Sequence, residues 1–247
     1  MRRRFFVEQF TGTTAIIEGD GAHHLGHVLR AQTGQLYELS DGLVAWLARI
    51  ESVARNRVEF ALLEQLPAPS PTVEVTLLLS IVKFDAFEWA IEKATEFGVN
   101  KIIPLAAARS EKGLLAAAEK RSHRWQKILV ESSQQSRRLR IPQLLEVAKP
   151  AQVFPAQTAD FRLMLSERGD AASIRRLLAG SNSPETPGTA RPSAALAIGP
   201  EGGWTDDELA VARAASFREA SLGQLILRTE TAVIAALATL NFALSAD

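Results

Sequence analysis

The stretch that most limits how this chain can fold runs from Val73 to Ala106. It opens with "VEVTLLLSIV", a continuous apolar run of the kind found in strands buried on both faces. "DAFEWAIEKATEFG" follows, with Asp85 as N-cap and Glu88 three residues on, the spacing of a capping box. Phe87, Ala90, Ile91, Ala94 and Phe97 recur at helical spacing and share one face. Gly98 stands where a helix ends, and "VNKIIPLA" reads as a second strand. Strand, helix and strand in this order predict a βαβ unit and hence a parallel sheet.

Upstream, "QLPAPSPT" (Gln65–Thr72) places three prolines in eight residues, which favours extended, non-helical chain. The boundary set there predicts an N-terminal domain over 1–66 and a C-terminal domain over 73–247. The first part holds short strand-like runs at Phe5–Val7, Ala15–Ile17, Gln35–Ser40, Val44–Ile50 and Val58–Leu63, a barrel or sandwich pattern. One helical piece, "AHHLGHVLR", interrupts them. In the second part a long helix is expected over Ala116–Ser136. Strands are expected at Phe161–Leu165, Ala194–Ile198 and Glu219–Leu222, and helices over Asp206–Ala215 and Glu230–Leu244. "GSNSPETPGTARPS" (Gly180–Ser193) reads as a polar loop.

Composition narrows the function classes. Lys plus Arg and Asp plus Glu both number 28 among 247 residues, so contact with nucleic acid has to come from a local patch. Cysteine is absent, which removes disulfides, a thiol nucleophile and thiolate-bound metal. The apolar run after "MRRR" is far shorter than a signal segment, and no stretch has the length of a membrane helix. A cytoplasmic protein is expected.

Three stretches carry candidate chemistry. In "ALAIGPEGGWTDDELA" (Ala195–Ala210) a strand ends in a proline–glycine turn and enters a helix. Thr205 and Glu208 have capping-box spacing, and with Asp206, Asp207 and Glu201 they surround the turn with acids. A phosphate would meet those carboxylates, and neither GxxxxGK[ST] nor GxGxxG is present, so a neutral or cationic ligand fits better. On this stretch alone a bare structural turn and a binding site fit equally well. "SLGQLILRTETA" (Ser221–Ala232) repeats the plan, with Thr229 and Glu230 at a helix start and Arg228 just before it. Two glycine loops at strand ends suggest a crevice between them. The third stretch, Glu119–Pro142, sets eight basic residues against two acids and ends in Arg137, Arg138 and Arg140, which favours RNA contact. Arg2, Arg3, Arg4 and Arg30 are assigned to the same role. His23 and His27 lie at i, i+4, but no partner ligands with metal spacing accompany them, so no metal site is expected.

Taken together these motifs resemble one known family. "GPEGG" followed by "LGQLILRTETA" resembles the ribosomal RNA small subunit methyltransferase E family, of the SPOUT superfamily. "RRRFFV", "HHLGHVLRAQTGQ", "IEKATEFGVNKIIPL" and "RWQKILVESSQQSRR" extend the likeness over nearly the whole chain. The resemblance implies an α/β fold: a C-terminal SPOUT trefoil-knot domain with a parallel sheet, preceded by a small N-terminal PUA-like β-barrel. It further implies S-adenosylmethionine as cofactor, a homodimer, and methylation of N3 of a uridine in 16S rRNA or the small ribosomal subunit. The cofactor loops would comprise Leu196, Ile198, Gly199, Pro200, Glu201, Gly202 and Gly203 with Leu222, Gly223, Leu225, Ile226, Leu227, Thr231 and Ala232. Arg228, Glu230, Arg138 and Arg109 match the family's motif residues near the reaction. Three positions depart from the family pattern. Gln134 stands for an acid, Arg137 for a glycine and Leu225 for an arginine. They leave open a SPOUT methyltransferase acting on another RNA base, or a silent RNA-binding assembly protein. A cofactor bearing a sulfonium and no phosphate removes the electrostatic objection to the acid-rimmed loop.

Overall fold

The computed structural model describes residues 3–67, 72–179 and 191–244. Arg2, half of the proline-rich boundary and most of the Gly180–Ser193 loop lie outside the described residues. The chain forms two units. One contains the described residues up to Pro67 together with Val130–Ile141, and the other contains the rest.

The first unit is a six-stranded sheet of β1 (Arg4–Phe6), β2 (Phe10–Thr11), β3 (Thr14–Glu18), β4 (Leu36–Ser40), β5 (Ala45–Ala54) and β6 (Arg57–Leu66). Their spatial order is β1-β4-β5-β6-β3-β2. β1 runs parallel to β4, and the remaining pairs are antiparallel. Where a small barrel or sandwich is expected, the strands form one sheet that does not close on itself. β1 and β2 stand at opposite edges, and β2 has only two residues with which to pair. Between β3 and β4 lie the short helix α1 (Gly19–His23) and a π turn, His24–Val28, which bury Ala22 and Leu25. Phe5, Leu39, Ile50, Val58 and Phe60 complete this core.

Residues 130–141 join the first unit through specific bonds. Ser40 Oγ donates to Leu139 O at 2.8 Å, and Arg140 Nε donates to Gly42 O. The buried Arg4 guanidinium binds Glu38 at 2.9 Å and donates to Arg137 O at 2.7 Å. Arg137 has φ +56°, a left-handed conformation that glycine adopts more readily, and its side chain reaches Glu38 at 3.5 Å. Arg137, expected from the resemblance to stand in place of a glycine, thus occupies a backbone state suited to glycine and makes an ion pair there. A stretch expected to lie wholly in the C-terminal domain is drawn out of it by these contacts.

The second unit is a seven-stranded, all-parallel sheet ordered β11-β13-β10-β12-β7-β8-β9. Its strands are β7 (Glu74–Ser80), β8 (Lys101–Leu105), β9 (Gln143–Leu144), β10 (Phe161–Leu165), β11 (Ala172–Ser173), β12 (Ser193–Ile198) and β13 (Arg218–Ser221). β7 and β12 are neighbours at the centre, and their side chains are almost entirely buried, as the apolar run demanded. The helices are α2 (Phe84–Glu96), α3 (Lys112–Ala118), α4 (Ser122–Gln135, whose end passes into the first unit), α5 (Pro150–Val153), α6 (Ile174–Ala179), α7 (Asp206–Ala214) and α8 (Thr229–Leu244). The single helix expected over Ala116–Ser136 is interrupted by a 3₁₀ turn at Glu119–Arg121. α2 packs on α8; the first buries Phe87, Ala90, Ile91 and Ala94, and the second Val233, Ala236, Leu237 and Leu240.

The start of α2 differs from expectation. Its N-cap is Lys83, without a side-chain cap, and Asp85 lies in the first turn. Glu88 does not close a capping box. It is buried, and its carboxylate accepts from Arg124 Nε at 2.7 Å and Arg121 Nη1 at 3.2 Å. Beside this triad the buried Trp125 ring packs on Phe87 with centroids 4.5 Å apart. With α2 beginning at Phe84, Asp85 and Glu88 lie past the two positions of a capping box, and Glu88 makes charge-assisted bonds to two cations instead. No helix among the described residues is long and apolar enough to cross a membrane.

Candidate functional site

A cleft of about 1380 Å³ opens in the second unit, at the carboxyl ends of its parallel strands. It is lined by residues that follow β7, β8, β10, β12 and β13 and by the starts of α2 and α8. β12 lies on one side of β10 and β13 on the other, which makes a switch point of the kind where open α/β sheets bind ligands.

The first loop, Gly199–Trp204, is held tightly. Gly203 N donates to Pro200 O at 2.8 Å, and Gly203 has φ +69°. A Cβ on Gly199 would stand 3.0 Å from the Trp204 ring. That ring is itself anchored, since Nε1 donates to Leu165 O at 2.9 Å and its face meets Phe154 edge-on. The loop then enters α7 through a complete capping box. Glu208 N donates to Thr205 Oγ1, while Glu208 Oε2 accepts from Thr205 N. Glu208 has a second role, because its Oε1 accepts from Ala108 N at 2.8 Å. Next to that amide, Arg109 Nη1 donates to Gly202 O at 2.8 Å. The post-β8 loop and the glycine loop are therefore clamped at two points.

The second loop, Leu222–Arg228, starts at a small knot of bonds between Ser221 Oγ and Gly223. Leu225 and Ile226 project from it, 83% and 76% exposed. It ends where Ala232 N donates to Arg228 O and α8 begins at the buried Thr229.

The cleft brings together Ile198, Gly199–Gly203, Leu222, Gly223, Leu225–Leu227, Thr231 and Ala232, along with Arg109, Arg228 and Glu230. Leu196 is not among its lining residues. It is fully buried in mid-β12, paired with Leu77 and Leu163 on the neighbouring strands, and so belongs to the core. Arg138 is also absent from the lining. It belongs to the first unit, where its Nε donates to Arg140 O and burial lowers its guanidinium pKa to about 10. At neutral pH it remains a cation.

Among the arginines assigned to RNA, Arg3 and Arg30 are exposed. Arg4 is committed to Glu38 inside the unit, which removes it from any RNA-facing set. Arg137 and Arg140 combine partial exposure with the contacts described above. From the same basic run, Arg121 and Arg124 serve Glu88. The rings of His23 and His27 stack with centroids 4.6 Å apart.

Lys83, Trp89 and Arg168 also line the cleft, although no motif pointed to them, and so does Asp85, which its spacing to Glu88 marked only as a helix cap. Their signal was positional: each lies within one or two turns of a strand's carboxyl end. The charges of the cleft fall into two classes. Arg109 and Arg168 are engaged, the latter with Asp206 at 3.2 Å. Lys83, Asp85, Glu201, Arg228 and Glu230 have no side-chain partner among the described residues. Uncommitted charge at strand ends, next to an open glycine backbone, suits a polar ligand.

The RNA methyltransferase domain model matches residues 68–241. The ribosomal RNA small subunit methyltransferase E of Synechocystis sp. is 32% identical over 239 residues, covering 95% of this chain and 75% of that protein. The Bacillus subtilis protein of the same name is 30% identical over 260 residues, covering 97% and 96%. Among solved structures, the Neisseria gonorrhoeae ribosomal RNA small subunit methyltransferase E bound to S-adenosyl methionine superposes with a TM-score of 0.83 at 27% identity, covering 98% of each chain.

Proposed function

The chain belongs to the ribosomal RNA small subunit methyltransferase E family, and on that premise we propose that it methylates N3 of a uridine in 16S rRNA of the small ribosomal subunit, using S-adenosylmethionine. The observation that carries this reading is the cleft itself. Both motif loops meet there, with bare glycine backbone and unpaired charged side chains facing one space.

The residues fit that cofactor. Gly199 and Gly202 let the loop backbone pack directly against Trp204 and Arg109, where a Cβ would crowd them, and both glycines line the cleft, so that bare backbone faces the proposed cofactor. Glu201, Asp85 and Glu230 give the cleft free carboxylates, which suit a sulfonium and disfavour a nucleotide phosphate. When bound, the cofactor supplies an electrophilic methyl group. The chain's own task is to prepare the uracil. Its N3–H is weakly acidic, so the proton must leave and the charge developing on O2 and O4 must be stabilised. In this reading Arg228 takes the second role and Glu230 the first, supported by the presence of both in the cleft lining. Holding base and methyl donor in one cleft supplies much of the remaining acceleration.

The reading extends to a trefoil knot around the two loops, RNA contact by the first unit through Arg3, Arg30, Arg137 and Arg140, and a cytoplasmic site of action. It includes a homodimer, supported by Phe242 of α8, a large apolar side chain that is 91% exposed. Mass mapping of 16S rRNA from a deletion strain tests the whole. One uridine should lack its methyl group and regain it on addition of purified protein. An unchanged small-subunit RNA would refute the reading, and a change on another base would reassign the substrate.

A further inference from the structure

We propose that Trp89 is the stacking platform for the base that receives the methyl group, with Lys83 holding a phosphate of the same unpaired strand. This deepens the reading of the cleft as an RNA methylation site and rests on it.

The second unit has three tryptophans. Trp125 and Trp204 are buried in its core, whereas Trp89 is 42% exposed and lines the cleft. Its position on α2 sets it apart from the Ala90, Ile91 and Ala94 face that packs inward. Its indole makes no hydrogen bond among the described residues. An indole left in water forgoes a large burial gain, so a free cleft tryptophan needs a partner to explain it.

Leu225 and Ile226 line the same cleft and are among the most exposed aliphatic side chains described. The apolar surface of the cleft therefore extends beyond its glycine loops. The space is also larger than one ligand requires: pockets for a single small molecule span roughly 300–1,000 Å³, against about 1380 Å³ here. With the cofactor assigned to the glycine loops, Trp89, Leu225 and Ile226 remain for a second, flat and partly apolar occupant.

The charges select its class. Lys83 and Arg228 are uncommitted cations, while Arg109 and Arg168 are engaged within the protein. An aromatic face accompanied by free cations matches unpaired nucleic acid, which offers both π-faces and phosphates. The free carboxylates of Asp85, Glu201 and Glu230 disfavour phosphate elsewhere in the cleft and so help fix how the strand lies. Leu225, standing where the family has an arginine, enlarges the apolar part of this surface.

The test compares full-length wild type with Trp89→Ala and Trp89→Phe. Four quantities are measured: affinity for S-adenosylmethionine by calorimetry, affinity for a short uridine-rich oligoribonucleotide, KM for 16S rRNA, and molecular mass by light scattering. Trp89→Ala should weaken oligonucleotide binding and raise KM by about 5- to 150-fold, the equivalent of ~1–3 kcal/mol of stacking. Cofactor affinity and mass should not change, and Trp89→Phe should recover most of the loss. RNA affinity within about twofold of wild type in Trp89→Ala overturns the proposal. So does weakened cofactor binding with RNA binding intact, which would place Trp89 at the cofactor. A fall in mass would show instead that a second copy covers it. If wild-type protein transfers no methyl group to RNA, the proposed function fails, while the oligonucleotide measurement still decides the role of Trp89.

Discussion

Gly199→Ala isolates the role of close packing in the first cofactor loop. Gly199 does not have positive φ, so alanine is acceptable to the backbone and only its methyl group is at issue. That methyl would stand 3.0 Å from Trp204 Cε2 and 3.1 Å from Nε1. The ring has little freedom to yield. It is 8% exposed, donates to Leu165 O at 2.9 Å and packs edge-on against the fully buried Phe154. Relief requires a shift of a few tenths of an ångström in the loop or the ring. Overpacking of this kind costs about 1–3 kcal/mol, and a weakened indole bond adds up to about 1 kcal/mol. The substitution should therefore destabilise the second unit by about 2 kcal/mol in denaturant titrations followed by tryptophan fluorescence. Because the displaced loop is the proposed cofactor wall, calorimetry should show S-adenosylmethionine binding at least tenfold weaker, an effect of ~1.4 kcal/mol. Trp204→Phe in the same chain should restore part of the packing. A Gly199→Ala protein with wild-type stability and cofactor affinity would refute the claim that Trp204 sets the shape of this loop.

Arg228→Ala should lower kcat by roughly 100-fold or more, the scale seen on removing one charge-stabilising donor, with cofactor affinity unchanged; equal kcat in a methyl-transfer assay would remove Arg228 from the reaction. Glu88→Gln keeps the volume but loses charge-assisted bonds to Arg121 and Arg124. Because both arginines reach solvent, the expected loss in chemical denaturation is about 2 kcal/mol rather than the larger penalty of stranding a buried charge. Asp160 accepts from Ser193 N and Oγ, which lowers its pKa below the ordinary carboxylate value. Its contribution is therefore present above that value and lost as pH falls through the lowered one, so the melting-temperature gap between wild type and Asp160→Asn should close on acidification.

Local signals proved legible wherever local forces decide. The apolar run became β7, and Thr205 with Glu208 formed the capping box that their spacing announced. Asp85 and Glu88 have the same spacing and formed none, because α2 already begins at Phe84 and Glu88 is engaged by Arg121 and Arg124, more than thirty residues away in the chain. No local pattern records that engagement. The open first sheet has a similar origin. β1 pairs with β4 in parallel across some thirty residues, and that long-range choice leaves β2 at the far edge. Arg4 resembled its neighbours in "MRRR" until the fold placed Glu38 opposite it. Trp89 was hidden by its setting, since one aromatic residue within an amphipathic helix looks like core until the helix is given a face.

The two loops owe their shape to side chains that take no part in the proposed chemistry. Trp204 fixes the start of α7 to Leu165, Glu208 ties it to Ala108, and Arg109 ties Gly202 to the post-β8 loop. Each of these bonds satisfies a backbone group at the cleft margin, so the loop is ordered by the protein rather than by its ligand. Such preorganisation spares the ordering entropy that a flexible loop would lose on binding. It also separates the tasks of similar residues. Arg109 is bound to the backbone and shapes the wall, whereas Arg228 has no side-chain partner and is available to substrate. A motif comparison ranks the two arginines together. Their hydrogen bonds distinguish them, and predict that loss of Arg109 impairs cofactor binding first while loss of Arg228 impairs turnover first.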